Sequence, residues 1–207
     1  MHRKQILTAG KKLSEAKQAL IMLHGRGGSA DDILSLAHYL SVNDYALLAP
    51  QATNHTWYPY SFLAPPKENE PWLSSALDLL IETVRDINAE GIDNSNIYFL
   101  GFSQGACLAL EFVARNAHRC GGVIAFTGGL IGDKIYSENY GGDFSGTPIF
   151  IGTSDPDPHV PVERVNATVE ILDKLNACVT KKIYKNMGHT ISQDEIETVN
   201  TLIFNSQ

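Results

Sequence analysis

Within this 207-residue chain, one serine is framed for covalent chemistry. Gly101-Phe102-Ser103-Gln104-Gly105 is a G-x-S-x-G pentapeptide. The apolar run Ile97 to Leu100 precedes it, and the almost wholly apolar stretch Ala106 to Ala114 follows it. Strand, sharp turn and helix in that order are the setting in which such a serine acts as a nucleophile. The turn has to hold Ser103 in a strained backbone conformation that pushes its hydroxyl outward. A side chain at 101 or 105 would meet the neighbouring strand or helix, so glycine is required at both. The helix N-terminus brings free amides beside the hydroxyl, where negative charge would develop. The pentapeptide alone also fits a glycine-flanked helix with serine as N-cap; the flanking pattern raises nucleophilic chemistry above that reading.

A nucleophilic hydroxyl needs a base within hydrogen-bond reach and a third group to orient the base. Hydrolases organised around this turn run Ser, then Asp or Glu, then His along the chain. The histidines after Ser103 are His118, His159 and His189. His118 lies at the far end of the helix that Ser103 opens, about 22 Å away at 1.5 Å per residue, and is excluded. His189, in Asn186-Met187-Gly188-His189-Thr190, sits between the last strand and last helix patterns and is the expected base. His159 reads as a loop or pocket residue. The acid lies in Gly152-Thr153-Ser154-Asp155-Pro156-Asp157-Pro158-His159-Val160-Pro161, where Asp155 and Asp157 compete. The unused one would hold the loop or cap the helix beginning near Pro161.

Leu23-His24-Gly25-Arg26-Gly27-Gly28 ends the first apolar run. In such hydrolases an early strand's exit loop gives one amide to the oxyanion hole, and the residue after the nucleophile gives the other. That assigns the backbone N–H groups of Arg26 and Gln104. The Arg26 side chain is expected to point to water, and His24 to bind nearby backbone. The segment lacks both G-x-G-x-x-G and the P-loop pattern, so phosphate binding is disfavoured. Asn54 to Phe62 carries Trp57, Tyr58, Tyr60 and Phe62. Aromatics usually pack in cores, but this proline-bounded loop after a strand suits an exposed acyl or alcohol pocket.

The elements that must position these groups follow from periodicity. Short apolar runs at Ala19–Leu23, Tyr45–Ala49, Ile97–Leu100, Val123–Phe126 and Pro148–Ile151 stop at Gly, Pro or a polar turn. They read as strands buried on both faces, with Thr180–Tyr184 as a more polar edge strand. Helical stripes run over Ala30–Leu40, Pro71–Glu90, Ser103–Arg115, Val162–Ala177 and Ser192–Phe204. Alternating strands and helices imply an α/β fold with a mostly parallel central sheet and helices on both faces. About 20 residues separate the Val123 and Pro148 strands, too few for a large cap domain. Residues 1–207 are expected to form a single domain, with 1–17 as an N-terminal extension or edge strand.

Composition narrows the function classes. Lys plus Arg is 16 and Asp plus Glu is 23, a net charge of −7, which disfavours nucleic acid and anionic membrane surfaces. No apolar run approaches the about 20 residues a bilayer span needs. Cys107, Cys120 and Cys178 form no zinc or CxxC pattern and read as reduced structural thiols of a cytoplasmic protein.

HGRGG, PQATNHTWYPYSF, GFSQGA, DPHVP and the late Gly188-His189, in this order, resemble the phospholipase/carboxylesterase family of α/β-hydrolases, which includes the acyl-protein thioesterases. The resemblance runs from about Leu20 to the C-terminal helix. It implies Ser103 as nucleophile, His189 as base, and Asp157, the aspartate of the Asp-Pro-x-Val-Pro segment, as acid. The Arg26 and Gln104 amides would form the oxyanion hole. Two features depart from the family pattern: Gly152 to Asp157 is two residues longer than usual, so counting from the glycine selects Asp155, and HGRGG replaces the HGLGD of the eukaryotic thioesterases. The TWYPYSF stretch is similar to bacterial esterase members.

The expected activity is a serine carboxylesterase acting on small or medium acyl esters through an acyl-enzyme. Thioester or lysophospholipid cleavage, or a non-catalytic binding protein on the same fold, are the alternatives. No metal or organic cofactor is implied. The expected partner is a small-molecule ester, without nucleic acid or membrane span, and a homodimer is compatible with the sequence.

Overall fold

The computed structural model describes residues 1–205. Seven strands form one sheet: β1 (Ile6–Gly10), β2 (Ala19–Leu23), β3 (Ala46–Pro50), β4 (Ile97–Phe102), β5 (Gly122–Phe126), β6 (Pro148–Asp155) and β7 (Cys178–Lys185). Their order across the sheet is β1-β3-β2-β4-β5-β6-β7. Within the first 17 residues, β1 pairs antiparallel with β3 at one edge. Every other neighbouring pair is parallel. The central strands are apolar without alternation because both of their faces are covered. Ile21, Leu23 and Phe99 enter one core, and Leu20, Met22, Tyr98 and Leu100 the other.

Helices α2 (Trp72–Ala89), α3 (Gln104–Arg115) and α4 (Val162–Lys174) cover the first core through residues such as Leu80, Leu110 and Leu172. Helices α1 (Ala30–Leu34) and α5 (Gln193–Val199) cover the second through Ile33, Ile196 and Val199. This is the α/β-hydrolase arrangement, a seven-stranded, mostly parallel sheet with helices on both faces. Among the described residues, no helix is long and apolar enough to cross a membrane.

Several elements differ from their expected extent; α4 stops at Lys174 rather than Ala177, and β7 is longer than Thr180–Tyr184 at both ends. The stripe Ala30–Leu40 is not one helix. It passes into a 3-10 turn at Ser35–Tyr39, where the Ser35 hydroxyl donates to the Asp32 carbonyl at 2.6 Å and competes with the helical ladder. The last helix likewise passes into a π-turn at Asn200–Phe204, with Thr198 and Thr201 hydroxyls bonded to carbonyls four residues back. Strand β6 continues through Gly152 to Asp155 because β7 pairs with it residue by residue to Asp155↔Lys185. A long partner strand outweighs the local preference of a glycine to end a strand.

Candidate active site

Ser103 lies between β4 and α3 with φ 54° and ψ −117°. It occupies the N-cap position of α3, its carbonyl accepting from the Cys107 amide at 3.0 Å, but its side chain makes no capping hydrogen bond and is left available. Its amide donates to the Phe126 carbonyl at 2.9 Å, which ties the turn to the neighbouring strand. The flanking glycines are sterically compelled. A Cβ on Gly101 would overlap the Gly105 carbonyl, and one on Gly105 would overlap the Leu23 carbonyl of β2. The hydroxyl of Ser103 therefore stands at the carboxyl end of the sheet, on a turn too tight for side chains beneath it.

Two loops at that same end bring the partners in. His189 Nε2 is 2.8 Å from Ser103 Oγ, and His189 Nδ1 is 2.9 Å from Asp157 Oδ2. The Asp157 side chain is shielded from solvent. Its other oxygen, Oδ1, accepts from the amides of His159 and Val160, each at 2.8 Å. Burial alone would raise this carboxyl, but the bonds from His189 and the two amides outweigh it, and its pKa lies below the ordinary aspartate value. A carboxylate facing Nδ1 keeps the imidazole proton on that nitrogen, which leaves the Nε2 lone pair facing the hydroxyl. The histidine loop is held by Gly188, at φ +83°, whose amide donates to Ser154 Oγ at 2.9 Å. The His159 ring packs edge-on against His189 at 4.9 Å.

Of the two competing aspartates, only Asp157 meets the histidine. Asp155 is exposed and contributes its backbone carbonyl to the Asn186 amide. The reason is the extension of β6: the extra residues after Gly152 are strand, and the turn that aims a carboxylate begins only after Asp155.

Among the described residues, the amides of Arg26 and Gln104 donate to no backbone acceptor. The Gly25–Gly28 loop lies against Ser103; a Cβ on Gly25 would stand 3.5 Å from the Ser103 Cβ. His24 is a buried prop of this loop. Its Nδ1 bonds the Gly25 carbonyl at 2.8 Å, and its Nε2 accepts from the Ala52 amide at 3.1 Å. Burial pushes its pKa down, consistent with a neutral ring.

The Arg26 side chain is exposed, as expected, but it is not free in water. Its guanidinium donates to Thr56 Oγ1 (3.0 Å) and to the carbonyls of Tyr58 (3.0 Å), Pro59 (2.9 Å) and Tyr60 (2.6 Å). Those oxygens lie in irregular backbone with no ladder to satisfy them, and a planar fork of five donors suits them. The expected exposed aromatic cluster is also corrected. Trp57 is fully buried, its Nε1 donating to the His24 carbonyl at 2.9 Å and its ring packed 5.0 Å from His24. Tyr58 is buried as well, Phe62 is 7% exposed, and Tyr60 alone is open to solvent, at 58%. The loop is anchored by its aromatics rather than offering all of them. Tyr58, Tyr60, Phe62 and Val160 line an open cleft of about 610 Å³ together with Ser103 and His189; Trp57 lies behind it. Cys107 also lines this cleft, with its thiol pushed up to about 12 by burial, so it is held as the neutral thiol.

Two contributions escape sequence reasoning. The Gln104 carboxamide binds Trp57 N, Thr56 Oγ1 and Tyr58 O. His2 bridges Thr53 N (3.1 Å) and Trp57 O (2.9 Å). No local pattern marks a second-position histidine as part of a loop some fifty residues on.

The phospholipase/carboxylesterase family model matches residues 5–206. The crystal structure of a phospholipase/carboxylesterase from Dyadobacter fermentans superposes with a TM-score of 0.98 at 55% identity, covering 99% of this chain and 98% of that one. Acyl-protein thioesterase 1 of Saccharomyces cerevisiae is 28% identical, covering 95% of this chain and 96% of that protein. The Bacillus cereus carboxylesterase shares the fold, with a TM-score of 0.79 at 21% identity over 99% of this chain and 95% of that one.

Proposed function

We propose, for a chain that belongs to the phospholipase/carboxylesterase family of α/β-hydrolases, a serine-based mechanism carried by Ser103, His189 and Asp157. The protein is a carboxylic ester hydrolase acting on small-molecule esters. The observation that carries the residue assignment is the unbroken chain Asp157–His189–Ser103, with both links under 3 Å. His189 Nε2 takes the Ser103 proton as Oγ attacks the ester carbonyl carbon. The carbonyl π electrons move onto oxygen, and the Arg26 and Gln104 amides hold that oxyanion. Its collapse expels the alcohol, protonated by His189, and leaves an acyl-serine. A water molecule, deprotonated by His189, repeats the sequence and releases the carboxylic acid. Asp157 keeps the imidazole oriented and offsets its positive charge. The cleft lined by Tyr60, Phe62 and Val160 receives the acyl or alcohol part, and its openness favours small or medium acyl chains. The chain is read as one catalytic domain. Its three free cysteines support a cytoplasmic setting.

Ser103→Ala should abolish p-nitrophenyl butyrate hydrolysis and fluorophosphonate labelling while the circular dichroism spectrum stays unchanged. Substantial turnover in that variant would overturn the nucleophile. A thioester reading is favoured by one finding, the relative in yeast named acyl-protein thioesterase 1. Comparing kcat/KM on a matched butyryl ester and butyryl thioester decides between the two.

A further inference from the structure

The amides assigned to the oxyanion belong to residues whose side chains grip the same short segment, Thr56–Tyr60. From one side Arg26 donates to Thr56 Oγ1 and to the carbonyls of Tyr58, Pro59 and Tyr60. From the other, Gln104 Oε1 accepts from the Trp57 amide at 2.9 Å, and Gln104 Nε2 donates to the Tyr58 carbonyl at 2.8 Å. The Thr56 hydroxyl touches both arms. It accepts from Arg26 Nη1 at 3.0 Å and has a single hydrogen to give, to Tyr58 O at 3.0 Å or Gln104 Oε1 at 3.2 Å. The Tyr58 carbonyl is likewise shared, accepting from Arg26, Gln104 and Thr56.

The two arms differ in stiffness. Gln104 opens α3, a twelve-residue helix that is buried almost throughout, so its amide is rigidly placed. Arg26 stands among Gly25, Gly27 and Gly28, with Gly27 at φ +79° and no neighbour near its missing Cβ. Glycine-rich backbone carries little conformational preference of its own; the Gly28 amide on the Gly25 carbonyl (3.1 Å) and the His24 ring hold the loop from within, and the Arg26 side chain adds a hold on its own amide from outside. Arg26 is the one residue of Gly25–Gly28 with a side chain to do this. Trp57 roots the gripped segment in the core, and His55 adds a second tether through Gly27 N and Gly28 O, each at 2.7 Å.

We propose that Thr56–Tyr60 is a clamp that sets the separation of the two oxyanion amides, with Arg26, Gln104 and Thr56 acting through their side chains as positioning residues. The inference rests on the reading that these amides hold the oxyanion. It predicts that the Arg26 side chain matters to turnover even though any substitution leaves the amide in place. Displacing one donor should weaken a contact made mainly in the transition state, so kcat falls and KM does not.

The test measures kcat and KM on p-nitrophenyl butyrate and Ki for a trifluoromethyl ketone that forms a tetrahedral adduct. Arg26→Met should lose about 100-fold in kcat, the scale of one oxyanion donor, with KM within about threefold. Its ketone Ki should rise by the factor that kcat/KM falls. Thr56→Val should lose about tenfold in kcat, and Thr56→Ser should restore it to within about twofold, since the hydroxyl is the node. Should Arg26→Met not fold, the Thr56 pair decides alone. Folded Arg26→Met and Thr56→Val with wild-type kcat and Ki would overturn the clamp. Ser103→Ala is assayed beside them: if turnover does not depend on Ser103, it is the serine mechanism that has failed, whereas a dead Ser103→Ala with unaffected clamp variants rejects the clamp only.

Discussion

Asp157→Asn is the sharpest perturbation, because the geometry dictates which way the new carboxamide must turn. Asp157 Oδ1 accepts from two amides, those of His159 and Val160, at 2.8 Å. Turning the carboxamide NH2 toward them would set donor against donor and lose two hydrogen bonds, at about 1–3 kcal/mol for each buried group left unpaired. The carboxamide oxygen is therefore held on the amides, and its NH2 faces His189 Nδ1. That nitrogen must then offer a lone pair, so the ring proton moves to Nε2, 2.8 Å from Ser103 Oγ. The imidazole becomes a donor where a base is needed. The same tautomer error in a serine protease costs about 10⁴-fold in kcat, or about 5.5 kcal/mol of barrier. We expect a loss of that order in kcat/KM on p-nitrophenyl butyrate, with a thermal midpoint close to wild type. Asp155→Asn should remain within about threefold, since that residue supplies only its backbone carbonyl. Retention of more than a tenth of activity in Asp157→Asn, or a larger loss in Asp155→Asn, would refute the reasoning. The pH dependence has a definite sign. The Asp157 carboxyl lies lower in the folded protein than in the unfolded chain. Its contribution to stability is thus fully present above the unfolded value of about 3.9 and is lost as pH falls through the lower folded value. Acid titrations of stability should show this loss in the wild type and not in Asp157→Asn.

The remaining expectations concern packing and thiols. Gly105→Ala forces a Cβ into the Leu23 carbonyl; it should cost about 3 kcal/mol or more, read as a fall of about 6–12 °C in thermal midpoint, and an unchanged midpoint would contradict the steric account. Trp57→Phe removes the donor to the buried His24 carbonyl and should destabilise by about 1–3 kcal/mol in urea unfolding. Tyr60→Ala, at an exposed position, should leave stability within about 0.5 kcal/mol while raising KM. Cys107 and Cys120 are buried, with their thiols held up at about 12, so iodoacetamide at pH 8 should label Cys178 alone in the native protein and all three in denaturant, by intact mass.

The turn that carries Ser103 was legible because its physics is local. Glycines at 101 and 105 and an apolar run on either side announce a strand, a turn and a helix without reference to the rest of the chain. The five central strands and most helices were legible for the same reason, as burial on two faces or on one stripe leaves a period in the sequence. His189 followed from chain order and the helix length that excludes His118. The sequence left Asp155 and Asp157 unresolved, because their difference lies in how far β6 runs, and β7, some twenty residues later, decides that by pairing to Asp155. Arg26 and the aromatic loop depended still more on distant contacts. Composition cannot tell an arginine in water from one gripping four oxygens, nor an aromatic in a pocket wall from one at its root. Those outcomes depend on which backbone carbonyls are left without a ladder once the sheet has closed. Local periodicity thus fixed the scaffold and the turn of Ser103, whereas which aspartate meets His189, what Arg26 grips and the burial of Trp57 emerged only when segments remote in sequence competed for the same hydrogen-bonding groups and the same volume.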